Sequence, residues 1–362
     1  MTNSEKICEK IGKIYFYKEL VKSNLIYITD KKEEKELADV LMRVDNYILA
    51  IQIKEKAPNN SDTSKWLNSK VYKVAKNQIK ETINEIRNKI DFKNKYNKNI
   101  IENIDSCIII PIILFDIGSS TIDYNKIYYS ESQNLVINIF DIKDFQIMCE
   151  NLISPMELVR YLNERKEYVK NKILIFENKN KTIVEKTSSE NALLNFYSEK
   201  YELEHTIDNI KKLKIFNNYL TLFEEHCVFN KDNYEIFIKY LSSFFTKEIY
   251  CFINRLNVII EKGFKKQLYF NNYIIGKNHN VLFITLPKEE YNLNFIKFVC
   301  NVFMYYFKIN NLLAIINYAI DSEKYELDFA IYEYDCTNEN LYLEAIKDGM
   351  SSCWEKGIDS LI

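Results

Sequence analysis

ADVLMRVDNYILAIQIKEK, residues 38 to 56, decides how the first half of this chain is read. Two runs rich in apolar and β-branched residues, VLMRV and YILAIQIKE, flank Asp45 and Asn46, a pair suited to a tight hairpin turn. With those two residues at the centre of the turn, Val44 opposes Tyr47, Leu41 opposes Ala50 and Asp39 opposes Gln52. Opposed Cβ atoms lie about 4.5–5.5 Å apart, and Lys54, two residues beyond Gln52, points to the same face. The sequence therefore predicts a carboxylate, an amide and an ammonium together at one end of a hairpin.

That grouping suits phosphodiester hydrolysis. A hard cation such as Mg²⁺ or Mn²⁺ takes oxygen ligands, which the Asp39 carboxylate and the Gln52 amide oxygen supply beside water and a phosphate. The cation polarises the phosphoryl group and acidifies a bound water, while the Lys54 ammonium orients that water or neutralises developing charge. The same pattern also fits an ordinary solvated sheet face.

The flanking segments alternate helical and strand periodicity. Residues 4 to 22 read as a helix, and residues 69 to 90 as an amphipathic one with Val71, Val74, Ala75, Ile79, Ile83, Ile86 and Ile90 on a single face. CIIIPIILF, 107 to 115, fits a strand buried on both faces, and LVINIFDI, 135 to 142, and KILIFE, 172 to 177, read as further strands. SPMELVRYLNERKEYV carries a helix start: Ser154 caps, Pro155 takes the first position and Glu157 completes a capping box.

KELADVL followed by AIQIK, set between a preceding and a following helix, resembles the PD-(D/E)XK nuclease superfamily over roughly residues 1 to 175. The resemblance implies a restriction-endonuclease-like α/β (α+β) domain with a mixed central sheet flanked by helices. It also implies a metal-dependent endonuclease, most naturally for DNA with RNA as the other substrate, in a restriction or antiphage setting. Residue by residue, it makes Asp39 the motif acid, Gln52 the second metal ligand and Lys54 the motif lysine. Gln78, in AKNQIKETI, matches a helical glutamine that some subfamilies set beside the site. Glu36 matches the additional acid before the hairpin, with Glu19 and Glu9 as rivals. Ala38 stands where the motif has proline, and Gln52 where it has Asp or Glu. A neutral amide holds Mg²⁺ less strongly than a carboxylate, so the alternative is a catalytically silent nuclease-fold subunit that binds nucleic acid or acts as a scaffold.

At 362 residues and 47% hydrophobic composition the chain has room for two cores. The polar, weakly periodic stretch ENKNKTIVEKTSSEN, 177 to 191, reads as the join. Residues 1–176 are then the nuclease-like domain, and residues 190–362 a second α+β domain for recognition or assembly. The latter shows helical patterns over 205 to 228, 232 to 262 and 292 to 309, and strands VLFITLP, NLLAIINYAI and YELDFAIYEYD.

A net charge of −2 argues against a globally basic polyanion binder, so any such contact is local. Ten basic residues between Lys65 and Lys98 face three acids, which makes Lys70, Lys73, Lys76 and Lys80 candidates for nucleic-acid backbone contacts. The same run also fits the solvated face of an amphipathic helix. The last forty residues are acidic and unsuited to nucleic acid; they fit packing on the basic half, a protein partner or second copy of the chain, or a solubilising surface. Eight scattered cysteines without C-x-x-C spacing predict free thiols in the cytoplasm, and the three isolated histidines receive no role. The charged N-terminus lacks a signal-peptide core, and Lys308, Asn310 and Asn311 interrupt the most apolar long segment, so no membrane association is expected.

Overall fold

The computed structural model describes residues 2–23, 25–28, 31–58, 62–88, 106–119, 122–170, 173–177, 182–186, 189–203, 209–226, 231–275, 279–290, 292–319 and 324–354. The chain divides into two compact units, Met1–Ile210 with Ile238–Thr246, and Lys211–Phe237 with Lys247–Ile362. Each is an α+β arrangement built on its own sheet.

In the first unit, α1 (Asn3–Tyr15) leads through β1 (Val21–Ser23) and a small ribbon of β2 (Ile26–Ile28) and β3 (Glu34–Glu36) to the hairpin β4 (Val40–Val44) and β5 (Tyr47–Glu55). A continuous helical segment follows: α2 (Thr63–Trp66), a π-helical stretch Leu67–Ala75 and α3 (Lys76–Arg87). Then come β6 (Ile108–Asp116), β7 (Ile127–Ser130), β8 (Leu135–Asp141), α4 (Ile142–Leu152) and α5 (Pro155–Lys170). The mixed six-stranded sheet runs β1-β4-β5-β6-β8-β7. Its three central strands β5, β6 and β8 are parallel, and the flanking pairs are antiparallel. A parallel β5–β6 pair requires a crossover, and the α2–α3 segment provides it.

That crossover covers one face of the sheet. Trp66, Leu67, Val71, Ala75, Ile79, Ile83 and Ile86 pack on Leu41, Ile48, Ala50, Ile113, Phe115 and Ile139. The opposite side carries α1, which contacts β1, β4 and β5, α4, which contacts β6 and β8, and α5, which contacts β4. With helices on both sides the central strands must be apolar throughout, which is why β6 reads IIIPIILF without alternation. Pro111 is tolerated there because the ladder with β8 begins one residue later, at Ile112.

Three local expectations change. The first helix stops at Tyr15 instead of continuing to 22, because Tyr17 takes φ 64° and the chain turns into β1. In the second, Val71, Ala75, Ile79, Ile83 and Ile86 are buried as expected, but Val74 is 38% exposed. The i→i+5 turns of Leu67–Ala75 are wider than α-helical ones and carry Val74 off the shared face; Ile90 lies outside the described residues. The Ser154 hydroxyl does accept the Glu157 N–H at 3.2 Å. The Glu157 carboxylate, however, does not close a capping box: it is engaged by Arg160, Tyr197 and the Thr246 backbone N–H.

The stretch read as a join, 177 to 191, falls inside the first unit. It contains β10 (Thr182–Lys186), antiparallel to β9 (Ile173–Glu177), and leads into α6 (Glu190–Tyr201). Fully buried Glu190 holds α6 in place: it accepts from Arg165 Nε at 2.9 Å and Nη2 at 2.8 Å, from Tyr161 at 2.6 Å and from Lys126 at 3.3 Å. Lys126 also meets Asp144 at 3.4 Å, so two cations face two anions. A polar surface pattern around 177 to 191 conceals that buried anchor.

The second unit holds most of α7 (Asn209–His226), the part of α8 (Lys231–Ser242) up to Phe237, most of α9 (Thr246–Phe264), and β11 (Tyr269–Ile275), β12 (Asn280–Pro287), α10 (Leu293–Phe307), β13 (Asn311–Ala319), β14 (Tyr325–Glu333) and α11 (Glu339–Lys347). Its sheet runs β11-β12-β13-β14, with the parallel β12–β13 pair joined through α10. Along β13 the side chains alternate: Leu312, Ala314 and Ile316 join the cluster of α10 and Trp354, whereas Asn317 bonds to the Ile259 carbonyl of α9. Phe237 of α8 stacks on Phe329 of β14 at 4.2 Å. Among the described residues no helix is long and apolar enough to cross a membrane, and six cysteines, Cys8, Cys107, Cys149, Cys251, Cys300 and Cys336, are free thiols.

Candidate active site

The hairpin forms in the register that its turn residues imply. Val44 pairs with Tyr47, Leu41 with Ala50 and Val40 with Ile51. Asp45 takes φ 49°, a left-handed conformation that a short polar side chain tolerates better than most. Asp39 stands one residue outside the ladder, and its Oδ2 accepts the Ile53 backbone N–H. Lys54 Nζ donates to the Ile53 carbonyl at 2.9 Å. The acid and the lysine thus grip the two peptide groups of one residue, between Gln52 and Lys54.

Gln52 occupies the middle of the sheet, paired with Ile113 of β6, and is only 5% exposed. It lines a narrow cavity of ≈ 90 Å³ together with Tyr27, Lys35, Glu36, Leu37, Gln78, Glu81, Thr82 and Glu85. Its side-chain amide makes no hydrogen bond with another described residue. The amide opens onto the cavity, where its acceptor and donors are left for water or a ligand to meet.

Of the five residues read as the site, Glu36, Gln52 and Gln78 share this cavity, while Asp39 and Lys54 are not in its lining. They are still linked through charge. Burial pushes the Asp39 carboxyl above its ordinary range, opposed by the Ile53 N–H and Lys54 and assisted by Glu5. Partial burial also raises the Glu36 carboxyl, followed by Asp39 and Glu5, with Lys54 acting in the other direction. Among the rival acids, Glu9 is engaged by Lys13 at 2.5 Å and by Ser23 at 3.0 Å, and Glu19 lies 3.7 Å from Lys18. Glu36 is the one beside Asp39.

Among the described residues no group of three or more His, Cys, Asp or Glu side chains is placed to hold a metal ion. The donor chemistry nevertheless fits a hard cation. The Asp39 carboxylate, the Gln52 amide and the Glu36 carboxylate offer oxygen alone, and the Gln52 oxygen has no other partner.

Sequence reading missed Lys35, Tyr27, Glu81 and Glu85 in the cavity wall, and Glu5 beside Asp39. The helical spacing of Gln78, Glu81 and Glu85 was a readable signal, because residues three and four apart share one flank. The lysines lie elsewhere on the same helical segment. Lys76 Nζ sits 4.1 Å and Lys80 Nζ 5.6 Å from the ring centroid of Tyr128, on the edge strand β7. Lys70 and Lys73 are exposed on the π-helical stretch. The helix therefore presents acids and amides to the cavity and lysines to its other flank; Lys89, Lys93, Lys95 and Lys98 lie outside the described residues.

No protein-family model matches this chain, and no curated protein or solved structure matches it.

Proposed function

We propose that the first unit is a PD-(D/E)XK-type nuclease that hydrolyses phosphodiester bonds of DNA with Mg²⁺ or Mn²⁺. The observation that carries this reading is the meeting of Asp39 and Lys54 at Ile53, with Glu36 and the unpartnered Gln52 amide alongside. In this reading Asp39, Gln52 and Glu36 would hold the cation, which supplies Lewis acidity and an acidified water. Lys54 supplies a proton-bearing ammonium that orients that water or meets the developing charge on phosphate. Gln78 positions substrate from the helix wall. Lys70, Lys73, Lys76 and Lys80 form a separate basic flank that attracts the nucleic-acid backbone, and the fixed negative charge of the cavity keeps phosphate out until a cation is bound. Cutting both strands of a duplex calls for two such sites, hence a homodimer or protein partner through the second unit. Incubating DNA and RNA substrates with the protein, with and without each divalent ion, tests the reading; cleavage of neither substrate under any condition rejects it.

One observation favours a second reading, that of a catalytically silent nucleic-acid-binding or scaffold subunit. The site has an amide where a second strand carboxylate would complete the cluster, and among the described residues no group of three His, Cys, Asp or Glu side chains is assembled. Calorimetric titration with Mg²⁺ separates the two, because the silent subunit keeps its nucleic-acid affinity while giving no metal-binding heat.

A further inference from the structure

The cavity lined by Gln52 carries two acids, Glu81 and Glu85, that the hydrolytic reading does not use. Its wall carries three carboxylates, Glu36, Glu81 and Glu85, and none makes a hydrogen bond or ion pair with another described residue. Two amides, Gln52 and Gln78, and the Tyr27 hydroxyl add further acceptors, and Lys35 is the one cation among the described residues of the lining. The Thr82 hydroxyl is occupied, donating towards the Leu37 and Gln78 carbonyls. Glu81 and Glu85 both act on Tyr27, raising its phenol after burial has done so, which places them across the same space. At the floor lies Gln52, 95% buried and unpartnered.

We propose that this cavity binds a small aliphatic polyamine, with ammonium groups on Glu36, Glu81 and Glu85 and the Gln52 amide oxygen at its inner end. Ammonium groups are donors without acceptors, the complement of three carboxylates and the amide oxygens beside them. The acids are not grouped to close on a single metal ion. Glu81 and Glu85 instead stand one helical turn apart, about 6 Å of rise, a separation that two ammonium groups on a short methylene chain match. The chain itself lies against Leu37 and the Tyr27 ring, where an ammonium also gains from the aromatic face. A bound polycation reverses the sign of the wall and so lessens its repulsion of a polyanion. The proposal goes beyond the nuclease reading: it shares Glu36, Gln52 and Gln78 with it, rests otherwise on Glu81 and Glu85, and needs neither metal nor nucleic acid.

The test is calorimetric titration of the full chain with spermidine in chelator-treated, low-salt buffer, where exposed charge pairs are least screened. Saturable binding is expected. The double variant Glu81→Gln/Glu85→Gln should weaken it about tenfold, and Lys35→Ala, which removes the repelling charge, should tighten it about twofold, as exposed pairs of this kind contribute. Opposite signs from these variants cannot arise from misfolding alone. Asp39→Ala should still bind spermidine, so failure of cleavage and failure of this proposal are distinguishable. Absence of saturable heat overturns the proposal, as does a double variant that binds like wild type. So does Mg²⁺ binding more tightly than spermidine with the same dependence on Glu81 and Glu85, which would make the cavity a metal site.

Discussion

Replacing Glu190 by alanine strikes the anchor that ties α6 to the first unit. Glu190 and Arg165 are both fully buried, and the carboxylate receives Arg165 twice, Tyr161 once and Lys126 once. Its removal leaves Arg165 and Lys126 with Asp144 as the remaining acid of the network. Breaking a buried pair in this way costs about 3–5 kcal/mol, because the surviving charge stays buried and uncompensated. Against a total of about 5–15 kcal/mol for a typical protein, that is a large share. Glu190→Gln keeps the volume and loses the charge, so it should show most of the same loss. Urea unfolding of the full chain, followed by far-UV circular dichroism, measures both. The pH dependence has a definite sign. Burial raises the Glu190 carboxyl, but Arg165 and Lys126 outweigh it and hold it below the ordinary range. The unfolded chain therefore takes up the proton first. The stabilisation is present above the unfolded glutamate value of about 4.3 and fades as pH falls through the lower folded value. A loss below about 1 kcal/mol in both variants, with no difference in acid sensitivity from wild type, would refute the reasoning.

Two other perturbations probe the site and the second unit. Gln52→Glu adds a fourth carboxylate to a cavity that already holds three. It should lower the thermal midpoint without metal and regain it with Mg²⁺, since a hundredfold excess over Kd contributes about 2.7 kcal/mol; a variant whose melting ignores Mg²⁺ contradicts the metal assignment. Gly263→Ala, on α9, places a methyl group against Asn317 Nδ2, which donates to the Ile259 carbonyl and Thr285 Oγ1 at 2.9 Å each. A destabilisation of about 1–3 kcal/mol is expected in chemical denaturation. An unchanged unfolding midpoint would mean that the close approach is not there.

The legible part of the fold is the part whose signals are local. Asp45 and Asn46 fix the turn, and the turn fixes the register, so Val44 opposite Tyr47 and Leu41 opposite Ala50 followed from counting. The continuous apolar run of β6 announced a strand covered on both sides, and Ile79, Ile83 and Ile86 announced the helix above it. The illegible parts depend on contacts distant in sequence. Glu190 sits in a polar stretch, and only Arg165 and Lys126, far behind it in the chain, turn that stretch into part of a core. The site divides in the same way. Spacing predicts Asp39, Gln52 and Lys54 together at one strand end, but it could not show that the Asp39 carboxylate turns to the Ile53 N–H while Gln52 lines a cavity that neither Asp39 nor Lys54 lines. A count of lysines along residues 65 to 99 likewise hid which flank they occupy. Lys76 and Lys80 lie over Tyr128, and the cavity receives Glu81 and Glu85.

The most direct measurement compares wild type, Asp39→Ala and Lys54→Ala on supercoiled plasmid DNA with Mn²⁺ or Mg²⁺ and with chelator, with the fold of each protein checked by circular dichroism. Nicking or linearisation by the wild type that vanishes with chelator, and is absent from both folded variants, is the expected result. Equal residual activity in all three proteins, or cutting that persists in chelator, would contradict the assignment of these two residues to metal-dependent hydrolysis.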